Sequence, residues 1–278
     1  MKGESVKENW RRRTKSFELP SVLLLCIFFF FAGFYGFRFF NDSKENEYGL
    51  RAKLLQAGES GDDFITSIPF QMLSWSPRIL YFPNFASEKQ CESIIETAKA
   101  GGLRRSNVAT ESGISDIRTS YGTSISASED KTGVLDAIEE KIARATKLPR
   151  SHGEKFSILR YRVGQKYNPH YDSYYTAEEG PQGSRRVVSF LVYLTDVSEG
   201  GETNFPYENG LNMDRGYQFK DCVGLKIKPR KGDGILFYSM FPNGTMDRTS
   251  LHGSCPVIKG EKWVATKWVW NQLHYDDY

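Results

Sequence analysis

The chain has 278 residues, enough for one large domain or two small ones with a sizeable core. Its 37 Lys+Arg against 34 Asp+Glu leave a formal charge of +3, which is too near neutrality to argue for nucleic acid, and no RNA- or DNA-binding signature is present. Four cysteines are too few for a disulfide scaffold, and the sequence shows no internal repeat.

In chain order, the first element is "LPSVLLLCIFFFFAGFYGF", Leu19 to Phe37, a run without a charge. As a helix it rises about 28 Å, close to the roughly 30 Å hydrocarbon core of a bilayer. It is apolar on every face, which disfavours a buried amphipathic helix, and too long for a cleaved signal peptide. Lys2, Lys7, Arg11, Arg12, Arg13 and Lys15 precede it and favour a cytoplasmic N-terminus. The expected layout is a cytoplasmic tail over 1–18, a transmembrane signal anchor over 19–37 and a charged lumenal stem over 38–75. A globular domain then fills 76–278. The protein expected from this layout is a single-pass type II protein of the endoplasmic reticulum or Golgi membrane, with its domain in the lumen.

"SEKQCESIIETAKAGG" predicts a helix, with Ser87 as N-cap, Gln90 completing a capping box and Gly101 as stop. Ile94, Ile95 and Ala98 form its apolar face. A second helix is expected from about Glu129 to Thr146, with Val134, Leu135, Ile138, Ile142 and Ala145 at helical spacing and Pro149 beyond its end. The period then changes to two. "KFSILRYRVG" carries Phe156, Ile158, Tyr161 and Val163, and "RRVVSFLVYLTDV" reads as a buried strand. "GLKIKPRKGDGILFYSM" reads as strand, turn and strand, and "EKWVATKWVW" closes the series. Helices followed by many short strands predict an α+β, mainly β domain: a double-stranded β-helix, or jelly roll, flanked by helices.

Within "YNPHYDSYY", residues 167 to 175, His170 and Asp172 lie two apart. On an extended backbone such residues share a face, so an imidazole and a carboxylate aim at one volume. That is two thirds of the 2-His-1-carboxylate facial triad of non-haem Fe(II) oxygenases. Alone the pair is common by chance. Of the other histidines, His274 is near the chain end and His152 falls in the polar turn "PRSHGEK". His252, in "TSLHGSCPV", is the natural third ligand. Ten residues on, Lys262 opens "KWVATKWVW". A lysine in such a strand is usually a solvated edge charge. Buried in an apolar barrel it would need a carboxylate partner, and the distal carboxylate of 2-oxoglutarate is one.

Taken together, "YRVGQKYNPHYD", "GGETNFP", "KPRKGDGILF", "SLHGSCPV" and "GEKWVATKWVW" resemble the 2-oxoglutarate-dependent prolyl 4-hydroxylases, most closely the membrane-anchored plant type. The resemblance runs from about Ser76 to the C-terminus. It implies that His170, Asp172 and His252 bind Fe(II) and that Lys262 binds the distal carboxylate of 2-oxoglutarate, with Tyr161 and Thr203 near the cosubstrate. It places Arg118, Tyr167 and Trp268 along a peptide groove, and implies dioxygen as cosubstrate and L-ascorbate as a reductant for the iron. The substrates would be proline-rich secreted polypeptides. Where the family often reads "GDALLFW", this chain reads "GDGILFY", with Gly234 and Tyr238 as the departures. Two other readings share much of this pattern: a related oxygenase acting on lysine or a small molecule, and a catalytically silent jelly-roll binding module.

Cys26 lies in the apolar run, and Cys222 and Cys255 flank the hairpin leading to His252. That last pair either forms a disulfide in an oxidising lumen or stays as free thiols; spacing does not decide. Asn243-Gly-Thr is a glycosylation sequon in a loop, whereas the sequon at Asn41 is too close to the membrane to be used. Oligomeric state is not legible.

Overall fold

The computed structural model describes residues 68–107, 116–173, 185–214 and 221–274, with Phe29 and Phe31. The chain divides into two compact units, Met1–Lys53 and Leu54–Tyr278. In the first, Phe29 and Phe31 are helical; the rest of the expected tail and anchor, and the stem up to residue 67, lie outside the described residues. No helix among the described residues is long and apolar enough to cross a membrane. All that follows concerns the second unit.

Among its described residues are fourteen strands and two α-helices. The strands are β1 (Gln71–Trp75), β2 (Arg78–Phe82), β3 (Arg104–Arg105), β4 (Tyr121–Ile125), β5 (Phe156–Tyr161), β6 (Tyr167–His170), β7 (Arg186–Tyr193), β8 (Glu199–Gly200), β9 (Thr203–Phe205), β10 (Leu225–Ile227), β11 (Gly234–Tyr238), β12 (His252–Ser254), β13 (Val257–Lys259) and β14 (Lys262–Trp270). The helices are α1 (Glu88–Ala100) and α2 (Val134–Thr146). An eight-stranded sheet runs β1-β2-β11-β7-β14-β5-β4-β3, a four-stranded sheet runs β10-β9-β12-β6, and β13 pairs with β8. Every ladder is antiparallel. The architecture is mainly β with helices on one side, consistent with the expected jelly roll.

The central strands are apolar without interruption because both faces of the large sheet are covered. On β7, Val188, Phe190 and Val192 pack with Cys91, Ile94 and Ala98 of α1 and Leu135, Ile138 and Ile142 of α2. Leu191 and Tyr193, on the opposite face, join Phe205 and Ile227 of the small sheet. On β14, Trp263, Ala265 and Val269 belong to the helix side, whereas Val264 belongs to the side of the small sheet. Alternation along each strand thus sorts residues into a structural layer and a layer that encloses a cavity.

Several local expectations are met and some are revised. α1 has the capping box at Ser87 and Gln90. α2 starts at Val134, not near Glu129, because Gly133 adopts φ 72° and the Asp130 carboxylate accepts from the backbone N–H of Thr132 and Leu135. Gln71–Trp75, assigned to the stem from sequence, forms the edge strand β1 against β2. Val163 lies past the end of β5 and is exposed, since the strand closes at Tyr161. His152 is buried, with Nδ1 3.2 Å from the Trp270 carbonyl, rather than sitting in a solvated turn.

The two departures at 234 and 238 have a packing cause. A Cβ at Gly234 would meet Phe190 Cε1 at 2.9 Å and Phe85 Cβ at 3.3 Å, so glycine admits the tilted Phe85–Phe190 ring pair, 4.6 Å between centres. Tyr238 carries the Arg78 guanidinium over its ring at 4.1 Å. Both lie on β11, and neither lines the cavity between the sheets.

Candidate active site

β6 and β12 are antiparallel neighbours, and their register places His252 directly opposite His170. Cross-strand partners share a face, so the two imidazoles meet, 4.4 Å between ring centres. Asp172 is not on the strand. β6 ends at His170, and Asp172 follows in a bend, so the shared-strand argument for the pair does not hold as such. The chain nevertheless turns the carboxylate between the rings. His170 Nε2 lies 3.4 Å from Asp172 Oδ1, and His252 Nε2 lies 3.4 Å from Oδ2. One ligand atom of each residue falls within 4.8 Å of the others.

The protonation pattern suits a divalent cation. Nδ1 of His170 is 2.9 Å from the Asn168 carbonyl, and Nδ1 of His252 is 3.0 Å from that of Ser250. A carbonyl accepts only, so each Nδ1 donates to it, and Nε2 is the nitrogen turned toward the Asp172 carboxylate. Burial pushes the His252 imidazole down to about 4, against the opposing pull of Asp172, and so keeps it neutral. Burial works against ionised Asp172, but His252, His170 and the Ser189 hydroxyl hold it well below the usual carboxylate range. Ser189 Oγ donates to Asp172 Oδ2 at 2.5 Å. Two imidazoles with Nε2 turned inward, an ionised carboxylate and outer hydrogen bonds fixing all three are what an Fe(II) site of this class requires. The residues present fit the ion.

The trio opens onto a cavity walled by Leu159, Leu191 and Val264 and reaching Lys262. Lys262, at 1% exposure, donates from Nζ to Ser254 Oγ at 2.8 Å. Among the described residues no carboxylate forms an ion pair with it. Burial, only partly offset by the charge of Glu202, pushes its ammonium down to about 7. The Tyr161 and Tyr193 ring centres lie 5.5 and 5.7 Å from Nζ. Tyr161 is buried, its hydroxyl facing Arg118 and Ser120, and burial pushes the phenol up. Thr203 accepts from the Tyr193 hydroxyl at 2.7 Å. Gly200 and Gly201, at φ 74° and 70°, turn the chain into β9 so that Thr203 reaches the cavity. A Cβ at Gly200 would come within 2.3 Å of the Pro256 carbonyl oxygen.

Arg118, Tyr167 and Trp268 line the same cavity. Tyr167 stacks on His170 at 3.6 Å and 17°, and Arg118 covers the Tyr167 ring at 4.8 Å. Arg186 lies over the Trp268 ring at 4.1 Å, and Trp268 Nε1 is buried without a hydrogen-bond partner. Nine of the ten residues singled out from sequence are therefore gathered here; Asn243 is exposed in the loop before His252 and does not line the cavity. Its Oδ1 accepts from the Thr245 hydroxyl at 2.7 Å and backbone N–H at 3.0 Å. Cys222 and Cys255 are joined as a disulfide, Cα atoms 5.6 Å apart, which decides between the two states that spacing left open.

Sequence reasoning missed Ser189, Tyr193 and Ser254. A serine inside "VVSFLVY" was the available sign, because a hydroxyl in a strand buried on both faces needs a partner.

Similarity to known proteins agrees with this geometry. Residues 156–270 match the 2OG-Fe(II) oxygenase superfamily. The chain is 55% identical to probable prolyl 4-hydroxylase 9 of Arabidopsis thaliana, over 94% of its own length and 96% of that relative's. It is 48% identical to prolyl 4-hydroxylase 13 of the same plant, over 94% and 98%. The chain belongs to the prolyl 4-hydroxylase family. A solved prolyl hydroxylase, the viral collagen enzyme of Paramecium Bursaria Chlorella virus-1 in its 2OG complex, superposes with a TM-score of 0.53 at 27% identity, covering 69% of this chain and 95% of that one. As a prolyl 4-hydroxylase of this superfamily, the protein is a dioxygenase.

Proposed function

We propose that this prolyl 4-hydroxylase converts peptidyl proline to 4-hydroxyproline in proline-rich polypeptides of the secretory pathway. The observation that carries the reading is the convergence of His170, Asp172 and His252 on a cavity that also holds a buried lysine with no carboxylate partner among the described residues. Fe(II) held by that trio would supply the oxidising chemistry: 2-oxoglutarate and dioxygen give succinate and carbon dioxide, with one oxygen atom passing to succinate and one to proline. Asp172 and the Nε2 atoms of His170 and His252 would hold the ion. Lys262 meets the distal carboxylate, and its pairing relieves the cost of burying an uncompensated ammonium. Leu159, Leu191 and Val264 keep water from the wall between them.

Tyr167, Arg118 and Trp268 form the peptide side. Proline-rich segments favour polyproline II, an extended helix with no internal hydrogen bonds and with its carbonyls available. Flat rings pack against proline, and Tyr167 and Trp268 both line this cavity. Pre-extended substrate loses little entropy on docking. L-Ascorbate is the expected reductant of iron oxidised without substrate turnover.

A lumenal setting is supported by the charge-free run 19–37 behind a basic tail. The disulfide supports it too, since such bonds persist in oxidising compartments. The exposed Asn243 with its Thr245 hydroxyl engaged is a fit acceptor for an N-glycan. Mass spectrometry of a proline-rich peptide incubated with the protein, Fe(II), 2-oxoglutarate and ascorbate tests the reaction. A gain of one oxygen located on proline is the expected result; oxygen on lysine, or succinate release with every such peptide unmodified, would replace it with the related-oxygenase reading. Protease added to sealed microsomes tests the topology, with only the tail before Leu19 expected to be removed.

A further inference from the structure

Three hydroxyl-bearing side chains, Ser254, Tyr161 and Tyr193, stand around the Lys262 ammonium, and a fourth, Thr203, pairs with Ser254. Ser254 on β12 accepts its proton, and Tyr161 on β5 and Tyr193 on β7 stand with their rings toward it. Thr203 on β9 is the register partner of Ser254. Thr203, Ser254 and Tyr161 line the cavity, whereas Tyr193 stands behind Thr203, with no exposed surface.

The direction of one bond sets the polarity of this end of the cavity. The Tyr193 hydroxyl donates to Thr203 Oγ1. A hydroxyl has a single proton to give and accepts through its lone pairs. With Oγ1 accepting from behind, the Thr203 proton is left for a partner elsewhere, and among the described residues no acceptor takes it. Burial pushes the Tyr193 phenol above its ordinary value, so it stays protonated and stays a donor. Ser254 follows the same rule, since its Oγ accepts from Lys262 and keeps its own proton.

We propose that Tyr193 is a positioning residue for 2-oxoglutarate: it commits the Thr203 hydroxyl to donate into the cavity, so that the distal carboxylate, an acceptor on every side, meets donors from Lys262 and Thr203 together. This rests on the 2-oxoglutarate reading of the cavity and adds a residue that never touches the cosubstrate. Without the phenol oxygen, Thr203 is free to turn its lone pairs toward the carboxylate, and the site loses a donor and a fixed orientation.

The test is Tyr193→Phe, which removes one oxygen and keeps the ring. Calorimetric titration of 2-oxoglutarate into the Mn(II)-loaded protein reads binding without turnover. The dissociation constant should rise about 5- to 10-fold, within the range for the net loss of one neutral hydrogen bond. KM for 2-oxoglutarate should rise with it while KM for a proline-rich peptide stays within about 2-fold, since the bond faces the cosubstrate end. In a Thr203→Val background, which keeps the shape and removes the hydroxyl, adding Tyr193→Phe should change binding by less than about 2-fold. Unchanged binding in Tyr193→Phe overturns the proposal. So does an equal loss in both backgrounds, which would mean that Tyr193 acts through packing alone. Should Tyr193→Phe fail to fold, Thr203→Val by itself decides, and unweakened binding there overturns the proposal. Lys262→Ala measured alongside separates the two layers. If it too binds 2-oxoglutarate like the natural protein, the cavity assignment falls; if it loses binding while Tyr193→Phe does not, only the positioning role falls.

Discussion

Strand β14 buries two lysines, and they are treated in opposite ways. Lys267, at 3% exposure on the helix face, forms an ion pair with Glu139 of α2, and Glu139 also accepts from Arg150 at 2.7 Å. Lys262, at 1% exposure on the opposite face, has a serine hydroxyl and no acid. The two are five residues apart, an odd spacing, so alternation sends one into the structural layer and the other into the cavity. A charge whose counterion comes from the fold is part of the fold. Under the proposed function, the charge buried at comparable depth without one has its cost offset when the distal carboxylate of 2-oxoglutarate binds. The same division holds across the large sheet: one face is closed by helices, and the other lines the cavity of the candidate site.

The contrast breaks most completely at the iron end of the cavity face. His170→Ala, Asp172→Ala and His252→Ala should each abolish succinate release while circular dichroism and thermal melting stay near those of the natural protein. Substantial turnover by His170→Ala at moderate iron would remove the trio from its assigned role.

The two lysines give the next largest effects, on different observables. Lys262→Met keeps the stem and removes the charge; it should weaken 2-oxoglutarate binding about 10- to 100-fold, as expected for a charge-assisted contact, and should not lower the melting temperature. Glu139→Ala does the reverse, leaving Lys267 buried and unpaired. It should cost about 3–5 kcal/mol of stability in chemical denaturation. A stable Glu139→Ala protein, or an unstable Lys262→Met protein, would erase the distinction between the faces. Lys262→Arg should restore part of the binding, since a guanidinium carries the charge in a wider and differently directed shape.

A smaller effect is expected one layer behind the ligands. Ser189→Ala removes the donor to Asp172 Oδ2 and should weaken iron binding about 10-fold, the lower end for loss of an outer-shell partner.

The smallest effect is that of pH. Lys262 sits at about 7 in the ligand-free cavity, below its usual 10.5, because burial disfavours the charge. A bound carboxylate favours the ammonium, so above about pH 7 binding must take up a proton and affinity falls, by at most about a decade per pH unit. Below that value this group adds no pH dependence. Calorimetry in buffers of different ionisation enthalpy measures the proton directly, and its uptake should disappear in Lys262→Met. The ligand-free protein carries the opposite sign. Between about 7 and 10.5 the unfolded chain holds the proton that the folded chain has released, so on this account its stability rises with pH across that window.

Patterns along the chain by themselves determined the helix α1 with its cap at Ser87, the paired faces of β14, the His170 and Asp172 pair and the choice of His252. The helix and the strand are carried by residues close in sequence, where periodicity maps directly onto geometry, whereas His170, Asp172 and His252 stand out by residue type and scarcity. The family motifs added Lys262, Tyr161 and Thr203 in the same way. Only the tertiary structure decided which face of β14 is the cavity, because alternation separates two faces without saying which one the helices cover. It alone paired Lys267 with Glu139, 128 positions away, and set Ser189 against Asp172 and Tyr193 against Thr203. It also moved Asp172 off the strand and started α2 at Val134, where a single buried carboxylate and one glycine outweigh helix propensity. Buried polar groups must find partners, and strand pairing chooses those partners from residues far apart in the chain; local sequence fixes each donor and acceptor but not which of them meet.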